Sequence, residues 1–146
     1  MNKVLTILIT AFSLLCFCSC ANEDDIDELF IGKTWYMNGA SINGKVLNDD
    51  VKKFFTEDGA SVYKISFTDS KFTGTLSKNS VFSGRWEADP KKQTIRLVIE
   101  KEPDVNNDFD RLVYKIIKNV TKYKGDTTIM KLSEDGNNYV NLTNKR

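Results

Sequence analysis

The sequence predicts a mainly β fold, an antiparallel meander that coils into a small barrel with one or two short helices. Three observations predict it. Apolar and polar residues alternate through four successive segments between residues 63 and 100. Only short turns separate these segments, so strands that are neighbours in the chain should pair antiparallel. Gly74 and Gly84 stand on the apolar face, where the strands of a barrel bend or approach each other closely.

Other segments of the predicted domain, residues 29–146, extend this pattern. Residues 35–42 have the composition of a strand, and Asn43-Gly44 predicts a hairpin turn after it. In residues 49–58 the apolar period changes to that of a short helix. A last hairpin is predicted from residues 128–132 and 139–142, which flank an acidic, glycine-containing turn.

Residues 109–123 fit two structures. Their apolar positions follow a helical period, with acidic residues at the start and lysines at the end, as the helix dipole favours. Their abundant Val, Ile and Tyr residues favour a strand instead. The periodicity covers more positions, so we expect a helix over about 109–118 that passes into a strand near Val120.

The first 19 residues predict a lipoprotein signal peptide. Lys3 precedes an apolar stretch, residues 4–17, that is shorter than the roughly 20 residues a membrane-spanning helix needs. Residues 17–20 resemble the lipobox of bacterial lipoproteins. The resemblance implies cleavage between Ser19 and Cys20 and a lipid attached to Cys20, which would anchor the protein in a membrane.

Residues 20–28 predict a lipidated cysteine followed by an acidic tether. Five of the six residues from 23 to 28 are acidic, and their repulsion favours an extended conformation. The stretch resembles the acidic export signal that some Gram-negative bacteria place after the lipidated cysteine. That resemblance implies an outer membrane lipoprotein exposed at the cell surface, and an ordinary solvated linker is the alternative.

Composition excludes several kinds of chemistry. The three cysteines, Cys16, Cys18 and Cys20, all precede the predicted domain, and the sequence contains no histidine. Thiolate nucleophiles, imidazole bases and the usual transition-metal ligands are therefore missing from the domain. Without residues 1–19 the chain carries 20 basic and 20 acidic side chains, so it has no net charge to attract nucleic acid. We expect no enzyme activity, no cofactor and no nucleic-acid partner.

A calcium site is considered at residues 102–110, where oxygen ligands recur at alternate positions. Phe109 stands where the sharp-turn glycine of a calcium loop belongs, and Lys115 stands where the bidentate glutamate belongs. We therefore expect a polar loop that caps the following helix, and no metal site.

Four aromatic residues on the apolar faces are the candidate ligand-binding residues. If the barrel is open they would line its cavity, and if it is filled they would be ordinary core. We expect Trp86 to be buried beside Gly84, whose missing side chain would make room for it. The four are Trp35, Trp86, Tyr63 and Phe82.

Short motifs carry a family resemblance. Residues 31–35 contain Gly32 and Trp35, residues 82–86 form a Gly-and-Trp strand, and Gly125 begins the penultimate hairpin. Together they resemble the small lipocalin-like and META-type domains of bacterial envelope lipoproteins, which implies a lipocalin-like barrel but no particular ligand.

Three functional hypotheses follow. The leading one is a non-enzymatic, lipid-anchored envelope protein that binds a small apolar ligand or an envelope partner at the cell surface. The second is a structural or protein-interaction module with a filled core and no small-molecule ligand. The third, an enzyme that uses paired carboxylates, requires two buried acids in one cleft.

Overall fold

The computed structural model describes residues 25–47, 62–105 and 107–145. The predicted helix at 49–58, the signal peptide, Ser19 and Cys20 lie outside these residues. The described elements follow the predicted order of strands, with a helix at the start and another between the sixth and seventh strands. They are α1 (Asp25–Phe30), β1 (Thr34–Ile42), β2 (Lys45–Val46), β3 (Lys64–Phe67), β4 (Lys71–Thr75), β5 (Val81–Asp89), β6 (Thr94–Lys101), α2 (Asp108–Lys118), β7 (Lys122–Gly125), β8 (Ile129–Ser133) and β9 (Tyr139–Thr143).

The strands close into a barrel, which confirms the predicted fold class. Each strand from β3 to β9 pairs antiparallel with the next, and β1 pairs with β3 on one side and β9 on the other. The result is a closed barrel of eight strands, to which β2 adds a short hairpin on β1. Asn43 and Gly44 have φ values of 53° and 80°, as the predicted tight hairpin requires.

Alternation along the strands places one set of side chains inside the barrel. Along β3 and the residue before it, Tyr63, Ile65 and Phe67 are buried, whereas Lys64 is exposed. The interior contains large side chains with almost no exposed surface, and they leave it packed. These include Trp35, Phe67, Phe72, Phe82, Met37, Leu76 and Leu132.

The two glycines of the apolar face allow two different close approaches. A Cβ atom on Gly74 would lie 2.0 Å from Cζ of Phe82, so this glycine makes room for an aromatic ring. A Cβ atom on Gly84 would lie 1.9 Å from the backbone oxygen of Val98, because the β5–β6 pairing shifts register beside Gly84. The expectation that Gly84 makes room for a buried Trp86 is therefore wrong.

Helix α1 closes the end of the barrel where β3 ends. Phe30 is 0% exposed, and its ring centroid lies 5.0 Å from that of Phe67, 5.1 Å from that of Trp86 and 5.2 Å from that of Tyr123. Trp86 is only partly buried here, and its Nε1–H donates a 2.8 Å hydrogen bond to the backbone oxygen of Thr68. Its role is therefore to pack under α1 at the barrel end.

The predicted extended tether is corrected at its C-terminal part. Residues 25–28 are helical, and Ile26 packs against the core. Ile26 therefore belongs to the packed structure, although it precedes the predicted boundary at Leu29. A chain that starts at residue 21 retains every element that the structure describes.

Helix α2 connects β6 to β7. These two strands pair through Thr94 and Lys122 alone. The bounds of α2 confirm the predicted helix, which is followed by strand β7. Asn107 caps its start, since its side chain accepts a 2.8 Å hydrogen bond from the backbone N–H of Asp110. This matches the expected polar loop at residues 102–110. The buried face presented to the barrel consists of Asp110, Val113, Tyr114, Ile116 and Ile117.

Candidate functional site

The interior leaves little room for a ligand among the described residues. Trp35, Tyr63 and Phe82 are buried to within a few per cent, and the indole N–H of Trp35 has no hydrogen-bond acceptor within the described residues. An interior cavity that described residues line has a volume of about 10 Å³, roughly the space of one water molecule. None of the four candidate aromatic residues lines it. Its lining residues are Met37, Lys64, Ile65, Thr75, Ile117, Leu132, Val140 and Leu142.

The candidate aromatic residues lie in different contacts. Trp86 packs on Phe30 and Phe67, and Phe82 packs on Phe72, with ring centroids 6.1 Å apart. Tyr63 packs on Phe109 at the start of α2. The structure therefore does not bring these four residues together around one cavity that the described residues enclose.

A buried polar cluster ties α2 to the barrel. Asp110 is 0% exposed, and its carboxylate accepts hydrogen bonds from the hydroxyls of Tyr63, at 2.7 Å, and Ser77, at 2.5 Å. Burial and the adjacent carboxylate of Asp110 raise the pKa of the Tyr63 phenol, so the phenol stays a proton donor. The cluster satisfies a buried charge that would otherwise be costly, and we interpret it as structural.

Asp110 is a buried polar residue that the sequence pattern did not single out. In the sequence, Asp110 counts only as an acidic residue near the start of a helix and as part of the calcium loop that is excluded. A usable signal exists, because Asp110 precedes Val113, Tyr114 and Ile117 by three, four and seven residues and so shares their face of the helix. A carboxylate in register with an apolar stripe indicates a buried acid that requires donors.

A second polar contact joins the end of β6 to α2. Glu102 accepts hydrogen bonds from Tyr114 and from the ammonium of Lys118, at 2.8 Å for the latter. These two contacts, led by that of Lys118, lower the pKa of the Glu102 carboxyl, although the side chain is exposed. Burial raises the pKa of the Tyr114 phenol, and the hydrogen bond to Glu102 adds to this effect. Glu102 and Asp104 both line a surface pocket of about 330 Å³, but both residues are exposed, so they are not a buried carboxylate pair.

The candidate site is a groove on the outer wall, which we call the outer groove. It has a volume of about 490 Å³, within the usual range for small-ligand pockets. Strands β1, β7, β8 and β9 form it. Its lining residues are Asn38, Lys124, Gly125, Ile129, Met130, Lys131, Asn141 and Leu142.

Strand alternation and one bulge place the outer-groove side chains. Lys124 follows the buried Tyr123, and Ile129 and Lys131 flank the buried Met130, so these three point outward. Asn38 is the extra residue where the β1–β9 register shifts between Met37 and Gly39, and it is exposed.

Two properties distinguish the outer groove from an ordinary wet sheet face. Ile129 is 58% exposed, although large apolar side chains at other strand positions mostly point inward. Lys124 and Lys131 are direct cross-strand partners. The ammonium of Lys131 lies 3.6 Å from the centroid of the Tyr139 ring, a cation–π contact that holds this side chain in place.

Metal and acid–base sites require clustered ligands or paired buried acids. Within residues 25–47, 62–105 and 107–145, no group of three or more His, Cys, Asp and Glu residues is placed to hold a metal ion. In the same ranges Asp110 is the one carboxylate residue that is buried, so these residues contain no buried carboxylate pair. No helix in the described part of the chain is both long enough and apolar enough to cross a membrane.

Comparison with known protein families assigns the chain. The profile of one family, a domain of unknown function (DUF4847), matches residues 21–144. The chain belongs to the DUF4847 family. No curated protein matches the chain.

A solved structure supports the DUF4847 fold. The crystal structure of a DUF4847 family protein from Bacteroides vulgatus matches this chain with a TM-score of 0.63 and 19% sequence identity. The match covers 82% of this chain and 97% of that protein. The closed DUF4847 barrel is compatible with the lipocalin-like resemblance of the sequence motifs, but the matching family is DUF4847.

Proposed function

We propose that this DUF4847 protein is a non-enzymatic, lipid-anchored envelope lipoprotein that faces outward and binds a small apolar ligand in the outer groove. One observation carries the placement of the ligand. The cavity of about 10 Å³ that the described interior residues line is too small for an organic molecule, whereas the outer groove offers about 490 Å³ and the exposed side chain of Ile129. The proposal takes ligand binding from the first hypothesis and the filled core from the second.

The proposed anchor rests on residues 17–20, which precede the described structure, and on the acidic stretch at residues 23–28, whose last four residues lie in α1. Helix α1 begins at Asp25, so few residues separate Cys20 from the packed barrel. A lipid on Cys20 would therefore hold the barrel close to the membrane surface. Two or more acyl chains give stable membrane attachment, whereas one chain is marginal.

The anchor is tested by Cys20→Ala in the full chain. We expect the variant to incorporate no labelled fatty acid and to accumulate as an uncleaved precursor, because the thiol of Cys20 is the proposed acyl acceptor. The matched control is Cys18→Ala, which should be labelled and cleaved like the wild type. Labelled fatty acid in Cys20→Ala would contradict the anchor. Outward orientation is checked by protease added to whole cells, and protection of the wild-type chain would contradict it.

Ligand placement is tested with an uncharged apolar probe, the methyl ester of dansyl-labelled undecanoic acid. The protein is the chain from residue 21 onward, after a cooperative melt has shown that it folds. We expect Ile129→Ser to weaken binding roughly tenfold, because each buried methylene contributes about 0.8 kcal/mol and a ligand would cover about two of them. Direct dansyl fluorescence measures the affinity.

Two controls separate the groove from other apolar surfaces. Val46→Ser changes another exposed apolar strand residue, 49% exposed, that does not line the groove, so it should leave the affinity unchanged. Phe82→Leu changes the interior and should lower the melting temperature without changing the affinity. Equal loss of binding in Ile129→Ser and Val46→Ser, or a loss in Phe82→Leu alone, would place the ligand elsewhere.

A further inference from the structure

The charges around the outer groove are unbalanced. Lys124 and Lys131 lie directly opposite each other on β7 and β8, and like charges in this arrangement destabilise a strand pair. In the described part of the chain neither lysine has a carboxylate within ion-pair distance. A bound anion would remove the repulsion.

The outer faces of β5 and β6 show the usual arrangement. There Arg85 pairs with Glu100 at 2.6 Å, and Arg96 pairs with Glu87 at 3.5 Å. Both are cross-strand pairs of opposite charge, which stabilise a sheet modestly. Two cations of this wall thus have a carboxylate partner, whereas neither lysine of the outer groove has one among the described residues.

The nearest carboxylate along the chain is engaged in the turn between β7 and β8. Oδ1 of Asp126 accepts hydrogen bonds from the backbone N–H groups of Thr128, at 2.7 Å, and Ile129, at 3.0 Å. These bonds hold the pKa of the Asp126 carboxyl below its usual value. Its negative charge therefore stabilises the turn.

The remaining polar groups of the outer groove can donate hydrogen bonds to an anion. Asn141 pairs with Lys131 across the strands, and Asn38 stands at the neighbouring bulge, so two amides line the same groove as the two lysines. Ile129 follows the turn at the end of the same groove and presents an apolar surface. Cationic and apolar surfaces thus adjoin within one site.

On the basis of the proposed function, we infer that the ligand of the outer groove is an amphiphilic anion. Its head would contact Lys124 and Lys131, and its apolar body would lie along Ile129. Exposed ion pairs contribute about 0.2–1 kcal/mol each. The charged contacts should therefore add modestly to an affinity that comes mainly from apolar contact.

The test compares dansyl-labelled undecanoic acid with its methyl ester on the chain from residue 21 onward. We expect the acid to bind more tightly, about two- to fivefold for each lysine that contacts the head. Lys124→Gln and Lys131→Gln should each remove part of this preference, because each should lower the affinity for the acid more than the affinity for the ester. Raising the salt concentration should weaken binding of the acid by the wild type, because salt screens exposed charges.

The matched control is Lys122→Gln, which removes an exposed lysine of β7 that does not line the groove and should leave the preference intact. Unlabelled undecanoate should displace the acid probe, whereas inorganic phosphate at the same concentration should not. Equal affinity for acid and ester, or displacement by phosphate alone, would overturn the amphiphilic anion. Failure of both probes to bind would instead overturn the proposed function.

Discussion

Phe30→Ala is expected to lower the free energy of unfolding by roughly 3–5 kcal/mol, the usual cost of truncating a buried phenylalanine. The ring is 0% exposed and contacts Phe67, Trp86 and Tyr123, so its removal leaves a cavity among large side chains that cannot all move inward. This is a large part of the roughly 5–15 kcal/mol that stabilises an ordinary domain. Denaturant unfolding of the chain from residue 21 onward, followed by tryptophan fluorescence, measures it.

The matched control for Phe30→Ala lies on the same helix. Glu28 is exposed, so Glu28→Ala should change the unfolding free energy by no more than about 0.5 kcal/mol. A loss below about 1 kcal/mol in Phe30→Ala would mean that α1 does not close the barrel end. Residues 25–28 would then belong to the tether, as their acidic composition predicts.

Alanine substitutions at Gly84 and Gly74 should both be strongly destabilising. A second substitution should restore part of the lost stability only in the Gly74 variant. Overpacking costs about 1–3 kcal/mol, and more where the surroundings cannot move. At Gly74 the obstacle is the ring of Phe82, 2.0 Å from the place that a Cβ atom would take, and a side chain can be made smaller. At Gly84 the obstacle is the Val98 backbone oxygen at 1.9 Å, which no side-chain change removes.

A double-mutant cycle distinguishes the two glycines. We expect Gly74→Ala with Phe82→Leu to be more stable than the two single losses predict, by about 0.5–3 kcal/mol. Gly84→Ala with Val98→Ala should show no such relief. Gly136→Ala is the control, because a Cβ atom there would have no neighbour within 4 Å. A loss at Gly84 no larger than at Gly136 would contradict the close approach of β5 and β6.

Helix α2 shows which structural features the apolar period of the sequence can predict. The sequence predicts its bounds, since a helical apolar period overrides the strand propensity of its Val, Ile and Tyr residues. It assigns the buried face less well. Tyr114, which breaks the apolar pattern, is buried, whereas Leu112, which fits it, is 38% exposed. Tyr114 can be buried because Glu102 accepts its hydroxyl hydrogen bond, a contact between elements that no local pattern contains.

The outer groove, in contrast to helix α2, cannot be located from local sequence patterns. Alternation along β7 and β8, a local property of a strand, places Lys124, Ile129 and Lys131 on the outer face. Their convergence with Asn38 and Asn141 depends on the closure of β9 onto β1 and on a bulge in β1. Residues that are about 90 positions apart in the chain meet only through that closure, so sequence reasoning places the candidate site inside the barrel instead.

The sequence by itself determined the meander, its turns, the position of α2 and the absence of histidine and cysteine chemistry from the domain. These follow from alternation, turn residues and composition, each of which acts over a few neighbouring residues. Only the tertiary structure decided that α1 closes one barrel end, that Gly84 faces a backbone, and that the described interior is packed. Each of these depends on how side chains and backbone from distant strands pack together. Because the interior is close-packed, this packing is fixed only in the assembled barrel.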